Sequence, residues 1–203
     1  MSLTIDQLLN GIKYWPPDFP SDFHNDYYEH ELPPVPPKGV FNDEWWGRFL
    51  PVLQSWQATR PCSHGFLTSR AQPRFEALGK MWAAAVDPQL DNDIAGVEWH
   101  QIAAFPSLVA EIKDVTSPVF TSKFCHFLAP RIFPVTDNKV MGLPYLTYEA
   151  HFTASRAEWL STASATQEEL IRLLTRKIGA PLFSGFPMKC KLIELCMIGR
   201  RHG

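Results

Sequence analysis

The sequence predicts an all-α protein: a single helical domain preceded by an extended, proline-rich N-terminal arm. Three observations carry this reading. From Asn42 onward, apolar residues recur three and four apart, the spacing of one helix face. No stretch alternates apolar and polar residues around a turn dipeptide, so no β-hairpin is expected. Residues 14–39, YWPPDFPSDFHNDYYEHELPPVPPKG, hold seven prolines, which neither a helix interior nor a central strand accommodates. The chain therefore divides into an N-terminal segment with its arm, 1–41, and a helical domain, 42–203.

The arm is rich in aromatic residues, and Trp15, Phe19, Phe23 and Tyr27 are expected to lay it over the domain. Asn42-Asp43-Glu44 is a helix start. It is followed by Trp45, Trp46, Phe49, Leu50, Leu53 and Trp56 on one face, with Pro51 expected to kink or split the helix. A second helix is predicted over 73–86, with Pro73 in its first turn and Phe75, Leu78, Trp82 and Val86 inward. A third spans about 97–113, disturbed in its middle by Pro106, and a fourth begins near Ser122. Thr166-Gln167-Glu168-Glu169 matches a capping box. It opens a helix with Leu170, Ile171, Leu173, Leu174 and Ile178 apolar, and Gly179 stops it. The last helix covers about 187–198. The spacing of Trp45, Trp46 and Trp56 places them in the core before it offers them to a stacked base.

Composition limits the function classes. A hydrophobic share of 45% and a charged share of 20% are those of an ordinary globular domain. A net charge of −2 excludes a protein coated in basic surface and leaves room only for a local basic groove. No uncharged apolar run reaches the length of a membrane span, and the N-terminus has no secretory pattern, so a cytoplasmic protein with no membrane partner is expected. Cys62, Cys125, Cys190 and Cys196 lack metal or redox spacing and read as reduced thiols, Cys125 and Cys190 buried among apolar residues. His24, Asp26, Glu29 and His30 match no established zinc spacing. Ser63-His64-Gly65 has no third triad member. No metal or other cofactor is expected.

The sharpest motif runs from Thr121 to Val140, TSKFCHFLAPRIFPVTDNKV. Lys123 opens a short apolar helix, a proline-bounded turn follows, and Phe133-Pro134-Val135-Thr136-Asp137 closes it. An amine beside a carboxylate in an apolar wall is a workable nucleophile and acid–base pair, because burial favours the neutral amine that attacks. Asp137 before Asn-Lys-Val-Met is equally a helix N-cap. Phe124, Phe127 and Leu128 are expected to be buried, with Phe133 packed against them across the turn. His126 lies near the face of Lys123.

Lys123, the apolar run Phe124 to Leu128, Pro134-Val135, Asp137 and Val140 together resemble the core of the helix-hairpin-helix DNA glycosylases, with the 8-oxoguanine DNA glycosylase branch nearest. The signature Lys123, His126-Phe127-Leu128, Pro130, Phe133-Pro134 and Asp137 is also similar to that of a set of poorly characterised bacterial proteins. The resemblance covers about 100–145. It implies an all-helical DNA-repair enzyme that flips a damaged base out of duplex DNA. In it Lys123 would be the catalytic nucleophile and Asp137 its catalytic assistant, with His126, Arg131 and Lys139 on the substrate. Val119 and Thr121 stand where that family's hairpin carries glycines, and the interval from Lys123 to Asp137 is shorter than the family's. The phosphates would be met by Lys113, Lys123, Arg131, Lys139, Lys189 and Lys191 gathered on one face. The alternative is a non-catalytic nucleic-acid-binding or protein-interaction module on the same fold, with Pro33-Pro34-Val35-Pro36-Pro37 as a polyproline contact.

Overall fold

A computed structural model describes residues 1–14, 39–113, 117–142, 147–179, 182 and 185–203, and every regular element among them is helical. The proline-rich arm, including Trp15, Phe19, Phe23, Tyr27 and the His24, Asp26, Glu29 and His30 group, lies outside the described residues.

The first helix, α1 (Ile5–Tyr14), falls in a stretch whose sequence made no helical prediction. It lies along the last helix, α11 (Met188–His202), and inserts Leu8 into the core. The helix α2 (Asp43–Ser55) starts as expected: Asn42 is extended and its side-chain oxygen accepts from the Trp45 N–H at 2.8 Å. Pro51 sits inside α2 without ending it. The proline is exposed, and the carbonyl that loses its donor belongs to exposed Gly47.

After α3 (His64–Ala71), whose N-cap is Ser63, the predicted 73–86 helix resolves into pieces. A 3-10 turn at Gln72–Arg74 leads into α4 (Phe75–Met81), and a wider π turn follows at Trp82–Val86. The 97–113 helix is also divided, into α5 (Trp99–Ile102) and α6 (Ala104–Lys113). Pro106 explains the division: it has no N–H for the Ile102 carbonyl, so it fits only the first turn of a new helix.

The helix α7 (Pro118–Leu128) begins four residues before the expected Ser122, with Pro118 at its first position, where a missing N–H costs nothing. Val119 and Thr121 thus lie within a helix rather than in a hairpin loop, and the Thr121 N–H is taken by the Ser117 carbonyl at 3.3 Å. A short α8 (Asn138–Met141) follows, then α9 (Tyr148–Ser161) and α10 (Ser164–Ile178). The capping box at Thr166 is overturned. The helix begins two residues earlier, and the Gln167 amide instead donates to the Trp159 and Thr162 carbonyls, both at 2.9 Å. Gly179 ends α10 at φ 75°, as its freedom from a Cβ allows.

The core is aromatic where α2 meets α7. Phe124 sits 4.9 Å from Phe49 and 6.2 Å and 6.3 Å from Trp45 and Trp46, centroid to centroid. Phe124, Phe127, Leu128 and Phe133 are all buried in this one core, as are Cys125 and Cys190. Phe127 also meets the Trp56 ring edge-on at 5.5 Å. Phe127→Ala is expected to cost about 3–5 kcal/mol, read from the denaturant midpoint. An unchanged midpoint would mean the ring is not enclosed.

Candidate functional site

The stretch from Ala129 to Asp137 has no regular structure, yet it is buried from Ile132 to Thr136. Buried backbone must find partners, and here side chains supply them. His126 Nδ1 donates to the Phe133 carbonyl at 2.6 Å, the Tyr148 hydroxyl to that of Pro134 at 2.9 Å, and His151 Nε2 to that of Val135 at 3.0 Å. The Thr136 N–H donates to Ser122 Oγ at 3.1 Å. A carbonyl only accepts, so each histidine is fixed in one neutral tautomer. Burial, reinforced for His126 by the Lys191 charge, pushes the His126 pKa down to about 3 and that of His151 to about 4. Four side chains from α7 and α9 thus splint the segment that presents Asp137.

Lys123 lies one turn before His126 on α7, 6% exposed. Its amine donates to the Trp56 carbonyl at 2.8 Å and stands 3.6 Å from Asp137 Oδ2. Trp56 is the C-cap of α2, so the ammonium meets the negative end of that helix. Asp137 uses its other oxygen as a helix cap: Oδ1 accepts from the Val140 N–H at 3.2 Å. The two expectations for Asp137, cap and charge partner, are therefore met by different oxygens of one carboxylate. Burial drives the Lys123 pKa below the ordinary lysine range, against the opposing pull of Asp137 and Glu194. The lysine is sealed while the aspartate is 34% exposed, so the pair sits at the edge of the core with its acid facing out.

The remaining expected site residues are placed differently. His126, 1% exposed, has no surface to offer a substrate, and its contact is with the Asp137 segment. Arg131 is half-buried and donates to the Asp91 carbonyl at 3.3 Å. The Lys139 side chain lies outside the described residues.

The expected basic face does not form among the described residues. Lys113 donates to the Ala58 and Arg60 carbonyls, at 2.9 Å and 2.5 Å. Lys189 pairs with Asp93 at 2.6 Å, and Lys191 is buried against Glu194 at 2.5 Å. These lysines are committed to internal partners.

The terminal Arg200-Arg201-His202 is not a free basic tip. Arg200 makes a two-pronged pair with Glu158, at 2.8 Å and 2.9 Å. His202 donates to the Val140 carbonyl at 3.0 Å and stacks on Tyr14. Beside it, Met141, Gly142, Met197, Arg200 and Arg201 line a cleft of about 330 Å³ at the far end of α8 from Asp137. Sequence reasoning missed Glu194 and Lys191 as a buried pair. Their spacing of three places them on one helix face, but nothing local says that this face turns inward.

No group of His, Cys, Asp and Glu side chains able to hold a metal occurs among the described residues, and none of the described helices is long and apolar enough to cross a membrane. No protein-family model, curated protein or solved structure matches the chain.

Proposed function

We propose that this chain is a DNA glycosylase of the lysine-nucleophile kind, acting on a damaged base flipped from duplex DNA. One observation carries the reading: a buried amine, Lys123, held 3.6 Å from a carboxylate, Asp137, that reaches the surface. In this reaction the neutral Lys123 amine forms a bond to the sugar C1′ as the bond from C1′ to the base breaks, and the base departs with the electron pair. Asp137 takes the proton that Nζ sheds. Opening of the sugar ring at O4′ then gives an iminium, which water hydrolyses. The cleft beside α8 is one helical turn from Asp137 and has room for a nucleobase.

Borohydride reduction of the iminium tests this. The wild-type protein is expected to be trapped on duplex carrying its preferred lesion, from a panel holding 8-oxoguanine opposite each base and an abasic site. Lys123→Ala is expected to abolish the adduct while duplex binding stays within a few-fold. Asp137→Asn is expected to slow base release by about 10- to 100-fold, more than it weakens binding, because its part is in the transition state. No adduct across the panel, with no duplex affinity at low salt, would overturn the proposal.

A second reading has its own observation. The Lys123 amine is bound to the Trp56 carbonyl at 2.8 Å, which makes it a C-terminal cap of α2. With most of the expected phosphate-facing lysines turned inward, the same fold then serves as a non-catalytic interaction module. On that reading Lys123→Ala lowers stability and no adduct ever forms.

A further inference from the structure

The carbonyl of Val140 lies in α8, where the helical pattern would give it the N–H of residue 144. That residue is Pro144, which has no N–H. The donor comes instead from α11. His202, the last residue of that helix, reaches the carbonyl with Nε2 at 3.0 Å. A carbonyl only accepts, so Nε2 carries the proton. The imidazole is held in its plane by Tyr14, the last residue of α1, whose ring lies nearly parallel to it at 3.6 Å between centroids. Beside it, Gly142 follows α8 at φ 69°, and the Arg201 side chain fills the space where a Cβ would stand.

Val140 faces Asp137 with its other polar group. Its N–H is shared between the Asp137 carbonyl at 3.1 Å and the side-chain Oδ1 at 3.2 Å. Asp137 Oδ2 is the oxygen that stands 3.6 Å from the Lys123 amine. A four-residue helix has too few internal bonds to hold its own geometry. One end of α8 is tied by Asp137 itself, and the other by His202 and Arg201.

We propose that His202 is a positioning residue for the Asp137 carboxylate, acting through the two backbone groups of Val140. This rests on Asp137 being the acid–base partner of Lys123. By fixing the Val140 backbone, His202 holds the N–H that orients Oδ1 and so keeps Oδ2 turned toward the amine. A carboxylate released from that N–H turns about its side-chain bonds and faces Nζ for less of the time, which slows proton transfer. His202 itself takes no part in the reaction.

Backbone NMR of the full chain at pH 7, without DNA, tests this with the Val140 amide proton as reporter. Asp137→Asn replaces a charged acceptor by a neutral one, which weakens the bond from Val140 and moves its proton upfield. His202→Phe keeps a ring on Tyr14 and loses the N–H. In that background the displacement is expected to fall by at least about half. In a His202→Gln background, where an amide N–H replaces that of the imidazole, it is expected to return to nearly its original size. His202 is exposed, so neither variant should threaten folding. An equal displacement in all three backgrounds would overturn the proposal. So would a loss that His202→Gln fails to restore, since the N–H would then not be what matters. Both readings hold whether or not an adduct forms on DNA. Where it forms, His202→Phe is expected to slow base release by about 3- to 10-fold with duplex affinity within about twofold, and His202→Gln to restore the rate. An unchanged rate in His202→Phe would likewise overturn the proposal.

Discussion

Gly199→Ala is expected to separate α1 from the body of the protein and to cost at least about 3 kcal/mol. The two helices touch backbone to backbone. A Cβ on Gly199 would lie 1.8 Å from the Gln7 carbonyl oxygen, and one on Gly11 would lie 2.0 Å from that of Leu195. Neither obstacle is a side chain that can rotate away, because both are carbonyls within helices. The helices must move apart, and Leu3 and Leu8, now 2% and 0% exposed, lose their cover. The gain in helix propensity from glycine to alanine, about 1 kcal/mol, is too small to compensate. Denaturant unfolding measures the loss, and faster amide exchange in α1 would locate it. Gly47→Ala is the control: an added Cβ meets nothing within 4 Å in mid-helix, so stability should hold or rise. If Gly199→Ala proved as stable as wild type, the close crossing would be refuted.

Acidification is expected to unfold the domain well above the range in which carboxylates alone would do so. His126 and His151 are held neutral, with pKa values of about 3 and about 4 against an ordinary 6.5. Below pH 6.5 the unfolded chain binds protons at both positions and the folded chain does not. The unfolded state therefore binds more protons, and stability falls as pH falls, until each folded value is reached. Between pH 6.5 and 4 the cost is about 3 kcal/mol per histidine. For two, this is comparable with the whole stability of an ordinary domain. Denaturant midpoints at pH 7, 6, 5 and 4 should fall steeply. His126→Asn and His151→Gln retain an N–H for the Phe133 and Val135 carbonyls and remove the titration, so both should flatten that slope. An unchanged slope in the double variant would show that the histidines protonate without unfolding.

The local pattern was sufficient for much of this protein. Asn42 caps α2, Gly179 ends α10, and the apolar spacing after Asn42 placed Trp45, Trp46, Phe49 and Leu53 inward, because a helix imposes its period on neighbouring residues whatever lies opposite. The motif from Lys123 to Asp137 was legible for the same reason: fifteen residues hold both charges and the turn around Pro130 that returns the chain. Local signals failed where another partner competed. The Thr166 capping box matched its pattern, yet the Gln167 amide found the carbonyls of Trp159 and Thr162 instead. Pro118, a breaker in mid-helix, proved to be a helix start.

By itself, then, the sequence determined the helical class, the aromatic core and the candidate pair of amine and acid. Tertiary structure alone decided that α1 forms and docks. A ten-residue helix is marginal in water, and this one rests on a helix that begins 174 residues after its own end. Tertiary structure also decided that Lys191 and Glu194 are buried against each other, while Lys113 and Lys189 take internal partners instead of facing a phosphate backbone. A charge on a helix reads as solvated until the packing of the other helices shows which face they cover.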